Sequence, residues 1–240
     1  MGIRCLDLCC GSKSVREGLE QLYGSAEYVG VDNNPRAEPD ILADIATWDY
    51  RSVFQPGDFD VVWASPPCTE YSTAKAGSRR NLELADSIAS RCVEIILYLQ
   101  PRWWFVENPY SGMLKRRPFM QVMNPFMLRT SYCMYGRDFK KPTSIWTNRP
   151  GMALKWCCKA TPCPHKMISV IHPACAQQGP HAGFTRTVKR EEAYKIPPLL
   201  LHELLAGLTS NQAAQSSIAP GMSGPSLTPR EESDARRDIS

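Results

Sequence analysis

Short apolar runs alternate with helically spaced segments through the first half of this chain, and that alternation narrows the possible folds more than any other feature. Residues 3–8 (IRCLDL) are an apolar run, residues 14–23 (SVREGLEQLY) repeat apolar positions at helical spacing and stop at Gly24, and residues 28–32 (YVGVD) and 59–64 (FDVVWA) are apolar again. Asn81 is placed to cap a long amphipathic helix over 82–99 that Pro101 ends, and 103–106 reads as a further strand. Strands separated by helices pair in parallel and need cover on both faces, so the expected class is α/β with a doubly wound, mostly parallel sheet. After Met127 the pattern changes to strands without helices, at 127–133 and 144–147. Residues 157–183 are rich in Cys, His and Pro without periodicity, and a helix follows at 199–208 behind Pro197-Pro198. The expected organisation is a core over 1–150, a small Cys/His-rich region over 151–185, and a return segment with its helix over 186–208. Residues 209–240 lack aromatic side chains and are expected to be disordered.

The net charge of +4 conceals a polarised chain: residues 1–100 carry −6, residues 101–190 carry +13 and residues 191–240 carry −3. The basic stretch contains Trp103, Trp104, Tyr110, Tyr132, Tyr135, Trp146 and Trp156. A surface that follows phosphates and stacks on bases needs that combination, although a solvated basic face over buried aromatics gives the same composition. At 240 residues there is material for one sizeable core. No apolar stretch is long enough for a membrane span, and Arg4 and Asp7 interrupt the start, so the chain is expected to be soluble and intracellular: cytoplasmic in a prokaryotic or viral setting, nuclear otherwise. Met1-Gly2 does not read as a myristoylation signal, because Leu6 stands where Ser or Thr is required. Ten cysteines in such a chain argue for free thiols, a metal site or a nucleophile rather than a disulfide framework.

Ligands of an open parallel sheet sit beyond the carboxyl ends of its strands, and a nucleotide-type cofactor wants a small-residue turn after the first strand and an acid after the second. Residues 7–14 (DLCCGSKS) supply the turn, with Asp7 and Gly11, and Asp32 ends the second run, placed to accept from a ribose diol. Asp44-Ile45 offers a carboxylate for an adenine amino group. The G-x-G-x-x-G spacing that packs a pyrophosphate is missing, which favours S-adenosylmethionine over a dinucleotide. On the opposite side, residues 64–72 (ASPPCTEYS) place Cys68 on a turn stiffened by two prolines, and residues 105–109 (FVENP) place Glu107 at the tip of a nearby strand. A thiol and a carboxyl beside a methyl donor suit methylation of a pyrimidine at carbon. Thiolate addition at C6 makes C5 enamine-like, and a carboxyl at N3 steadies the charge.

In this motif order the chain resembles the DNA cytosine-5 methyltransferase family over about residues 3–208. DLCCGSKS is similar to the cofactor loop, VDNNP to the ribose acid, DI to the adenine contact, SPPC to the nucleophile turn and ENP to the ENV motif; residues 186–197 (RTVKREEAYKIP) resemble the late motif that props the recognition region. The resemblance implies a Rossmann-like methyltransferase fold, S-adenosylmethionine as methyl donor and double-stranded DNA as partner. It also implies Cys68 as nucleophile, Glu107 as N3 partner, and Asp7, Gly11, Asp32, Asp44 and Ile45 as donor-site residues. Three departures stand out: Cys9 replaces the usual aromatic, Lys13 replaces a glycine, and the Gln-x-Arg-x-Arg motif is missing from 129–148. Arg137 is the candidate for the charge-steadying role of that motif, with Arg129 second. A flipped base would be covered by the loop 69–81 with Arg79 and Arg80. The interval from 148 to 186 is short for a target recognition domain, which implies low specificity or a protein partner that supplies it.

Four other readings stay open at this point. Cys68 alone could be an inert buried thiol. The same chemistry could act on structured RNA. An amino-methyltransferase would share the Ser-Pro-Pro turn but needs an aromatic where Cys68 stands, and a silent nucleic-acid-binding module would keep the fold without the reaction. Cys157, Cys158, Cys163, His165, His172 and Cys175 could close round zinc, but CC-x4-C-x-H matches no standard ligand spacing, so no metal is assigned.

Overall fold

The computed structural model describes residues 2–75, 77–157, 161–164, 172, 174–175 and 186–208. The expected tail at 209–240, most of the 151–185 region, and with it Cys158 and His165, lie outside the described residues. Seven strands form the main sheet: β1 (Arg4–Leu8), β2 (Glu27–Asp32), β3 (Ile41–Leu42), β4 (Val61–Ala64), β5 (Trp103–Pro109), β6 (Met127–Ser131) and β7 (Pro142–Thr147), in the spatial order β3-β2-β1-β4-β5-β7-β6. Strands β1 to β5 are parallel; β7 runs antiparallel between β5 and β6. A two-residue pair, β8 (Ala174–Cys175) and β9 (Arg186–Thr187), forms a separate small sheet.

Period-two alternation in the buried strands builds two cores, one on each face. Val62 and Ala64 of β4 join Leu6 and Leu8 of β1 under α2 (Leu82–Leu99), which contributes Ala85, Ala89, Cys92, Val93 and Ile96. Val61 and Trp63 face the other way, with Cys5 and Phe105, against Val15 and Leu19 of α1 (Ser14–Tyr23). A short helix, α3 (Arg190–Tyr194), and then α4 (Pro198–Leu205) follow, the latter adding Leu200, Leu201 and Leu204 to this second core. Gly18 permits the close approach of α1 to α4, since a Cβ there would stand 3.0 Å from Cβ of Leu201. The C-terminal carbonyls of α4 are capped by Arg149, whose guanidinium donates to Glu203 at 3.2 Å and Ala206 at 2.7 Å.

Asn81 caps α2 as its residue type predicts, its Oδ1 accepting from the Leu84 amide at 3.1 Å. The run expected over 127–133 ends as a strand at Ser131; Tyr132–Tyr135 turn over in a 3-10 helix closed by Gly136 at φ 88°. That turn buries Tyr132, Cys133 and Tyr135, so its apolar residues serve the core as a strand continuation would have done. Among the described residues no helix is long and apolar enough to cross a membrane.

Candidate active site

The sheet order reverses at β1: the chain moves outward to β2 and β3 on one side and to β4 and β5 on the other. The crevice at such a switch point is where an open α/β sheet holds its ligand. Here it is a cavity of about 860 Å³, and Asp7, Gly11, Asp32, Cys68 and Glu107 all line it. Its size is that of a site for a drug-sized or nucleoside-sized molecule.

The loop leaving β1 is tied to both neighbouring strands, Cys10 donating to the Val31 carbonyl at 3.1 Å while the Leu8 carbonyl accepts from Ser65 at 3.0 Å. It turns through left-handed conformations at Cys9 (φ 59°), Gly11 (φ 43°) and Lys13 (φ 54°). The last value gives the physical reason a glycine would suit position 13. Asp32 holds the loop: its carboxylate accepts from the Gly11 amide at 3.0 Å and the Asn34 amide at 2.8 Å, one bond per oxygen, which leaves each oxygen a lone pair for a hydroxyl. Asp7 is buried and accepts from the Tyr28 hydroxyl at 2.8 Å. Burial, with the Asp32 charge adding to it against the Tyr28 bond, pushes its carboxyl up to about 7.

Pro66 and Pro67 bring no N–H to the turn after β4, and the Pro66 carbonyl accepts from the side-chain Nδ2 of Asn108 on the next strand at 2.9 Å. Cys68 projects from this support, half-buried. Burial pushes its thiol above the ordinary value, Lys141 pulls it back, Glu107 raises it and Arg190 lowers it. Glu107, only 7% exposed at the tip of β5, accepts from the Tyr132 hydroxyl at 3.1 Å and faces the Lys141 ammonium at 3.6 Å. Lys141 in turn donates to the Ala193 carbonyl of α3 at 3.0 Å, so one cation joins the carboxyl, the thiol's surroundings and the return segment.

Three expected site residues lie elsewhere. Asp44 is exposed and its carboxylate accepts from the Ala46 amide at 3.0 Å, capping a turn. Ile45 is buried in the core under α2. Neither lines the cavity. Arg137 is also outside the lining, because the turn through Gly136 directs it to the Lys195 carbonyl at 3.4 Å, where it supports the end of α3. The cavity instead contains Lys141 and Arg190, which motif reading missed. Their signals were the Lys140-Lys141 pair immediately before β7 and the basic residues opening RTVKREEAYKIP.

Outside the cavity lining, Tyr110 follows Pro109 and packs edge-on against Trp156 with centroids 5.3 Å apart, while the exposed Arg129 lies over both rings at 5.8 and 5.4 Å. This is a basic, aromatic surface next to the carboxyl end of β5.

Known proteins share the fold and the sequence pattern. The solved structure of the Entamoeba histolytica methyltransferase EhMeth superposes with a TM-score of 0.50 over 65% of this chain at 13% identity. The chain spans about half the length of the solved structures it matches. A protein of Frog virus 3 (isolate Goorha) named "Probable DNA (cytosine-5)-methyltransferase" is 31% identical over 224 residues, 85% of this chain and 99% of that protein. The sequence model described as C-5 cytosine-specific DNA methylase matches residues 3–126, which include β1 to β5, Cys68 and Glu107. On those matches the chain belongs to the C-5 cytosine-specific DNA methylases, enzymes whose methyl donor is S-adenosylmethionine.

Proposed function

We propose that this chain methylates C5 of cytosine in double-stranded DNA through a covalent bond between Cys68 and C6 of a base turned out of the helix. The observation that carries the reading is that Cys68 and Glu107 share one cavity with Asp7, Gly11 and Asp32. The residues fit S-adenosylmethionine: the left-handed backbone at Gly11 and the spare lone pairs of Asp32 suit a ribose, and no phosphate cradle is needed. When bound, the donor supplies an electrophilic methyl group. The remaining chemistry belongs to the protein. The Cys68 sulfur adds to C6 as a thiolate, and Glu107, held by Tyr132, shares a proton with N3, so the electron pair builds up at C5 rather than on the ring nitrogen. After C5 is methylated, loss of its proton returns the pair to the C5–C6 bond and breaks the bond to Cys68.

The thiol must ionise against its burial, and Lys141, which lowers it, takes the role expected of Arg137, whose guanidinium donates instead to the Lys195 carbonyl. Base flipping exposes the reacting face; the loop 69–81 flanks it, with Arg79 exposed and Arg80 donating to the Glu70 carbonyl. We read the short 148–186 interval as leaving sequence specificity low or dependent on a protein partner.

The test is incubation of the chain and donor with oligonucleotides containing 5-fluorocytosine, in DNA and RNA duplexes. A covalent adduct with DNA, lost in Cys68→Ala, is expected. Adduct with RNA alone moves the substrate to RNA. Methyl transfer surviving in Cys68→Ala, or mapped to the exocyclic nitrogen, overturns the reading.

A further inference from the structure

Away from the cavity, four soft ligands converge from separate parts of the chain. Cys133 lies in the buried turn after β6, Cys157 follows the segment that runs beside β6, and Cys163 and His172 come from the Cys/His-rich region. All four are buried, and their ligand atoms lie within 4.8 Å of one another. Sγ of Cys163 is 3.1 Å from Nε2 of His172. The cysteines are free thiols. Core packing does not account for the convergence: Met134 is the apolar side chain packed against the three cysteines among the described residues.

We propose that Cys133, Cys157, Cys163 and Nε2 of His172 form a structural zinc site that fastens the Cys/His-rich region to the catalytic sheet. The reading does not depend on the methyltransferase assignment. The donor set, three sulfurs and one imidazole, is one that tetrahedral structural zinc uses. With Zn–S near 2.3 Å, ligand atoms on one ion stand about 3.8 Å apart, so the quartet needs a contraction of no more than about 1 Å. The same compactness argues against a multi-iron cluster, whose ligands must span several metals. Binding displaces the thiol protons, and three thiolates around a divalent ion carry a net charge of −1, at home in a stretch of +13.

The site would add to the bonds that hold residues 155–157. The Lys155 carbonyl accepts from the Ser131 amide at 3.2 Å and the Thr130 hydroxyl at 3.1 Å, and the Cys157 amide donates to the Ser131 hydroxyl at 3.3 Å, laying residues 155–157 along β6. Trp156 sits between these anchors and packs on Tyr110. An ion at Cys157 therefore steadies the aromatic surface next to the carboxyl end of β5.

The experiment is elemental analysis of the full chain purified without added metal, alongside Cys68→Ala, Cys133→Ser and His172→Ala. About one zinc per chain is expected in the wild type and in Cys68→Ala, falling to a small fraction in the other two. Two measurements use the wild type and so do not depend on the folding of ligand variants: a strong chelator should lower the melting temperature and zinc restore it, and cobalt exchanged into the site should show sulfur-to-metal charge-transfer absorption. Metal-free protein whose melting temperature ignores chelator and zinc overturns the proposal. So does full zinc content in folded Cys133→Ser and His172→Ala. Retention by Cys68→Ala separates this outcome from any failure of the catalytic reading.

Discussion

Lys141 is the residue whose removal most directly tests the electrostatics of the cavity. It lowers the Cys68 thiol against the larger effect of burial and faces Glu107 at 3.6 Å. In Lys141→Met the thiol should ionise only at higher pH, so alkylation of Cys68 by iodoacetamide at neutral pH should slow and its pH midpoint should move up. An unchanged pH midpoint of alkylation would remove Lys141 from the role. Asp7 makes a second prediction through linkage. Its folded carboxyl titrates at about 7 against a reference of 3.8, so the folded state holds a proton that the unfolded chain has lost between those values. Stability from this group is therefore present below pH 4 and declines as pH rises to about 7, by about 4 kcal/mol at most. Asp7→Asn should show a flatter stability profile across that window, measured by urea denaturation at several pH values.

Among the elements, α2 depends most visibly on one local bond. Asn81→Ala removes the acceptor for the Leu84 amide and should cost about 1 kcal/mol, seen as a melting temperature lower by about 2 to 4 °C. The bounds of α1 and α2 and the strand tips carrying Asp32, Cys68 and Glu107 were legible because periodicity, caps and proline turns are local signals. Other elements were not. α3 has five residues, too few for a period to register, yet Arg190 and Tyr194 line the cavity from it. β8 and β9 are two residues each and exist through their mutual pairing. That Lys141 rather than Arg137 lines the cavity could not be read from spacing, since Arg137 follows the left-handed turn at Gly136 and its guanidinium reaches the Lys195 carbonyl instead. Cys133 was unreadable as a partner of Cys157 because they lie on either side of the β7 strand and meet only once residues 155–157 lie along β6.

At the scale of the whole molecule, charge is divided along the chain as function is divided across the fold. The −6 segment builds β1 to β4, and the +13 segment supplies β5 to β7 and the aromatic surface next to the carboxyl end of β5. Binding to duplex DNA should then fall steeply with salt. Arg129→Ala should weaken it equally for different sequences and reduce the slope of log K against log salt by about one. A loss confined to one sequence would mean that Arg129 reads bases. The reversed direction of β7 has its own consequence. In an all-parallel sheet, residues entering a strand sit at the rim opposite the ligand, and only residues leaving a strand can reach it. By running against β5, with Thr143 opposite Pro109, β7 delivers its entry residues to the reactive rim, and Lys141 arrives beside Glu107 from the wrong end of a strand. One inverted strand thus brings to the site the residue that precedes it, a cation that a parallel strand in the same place would carry to the opposite rim.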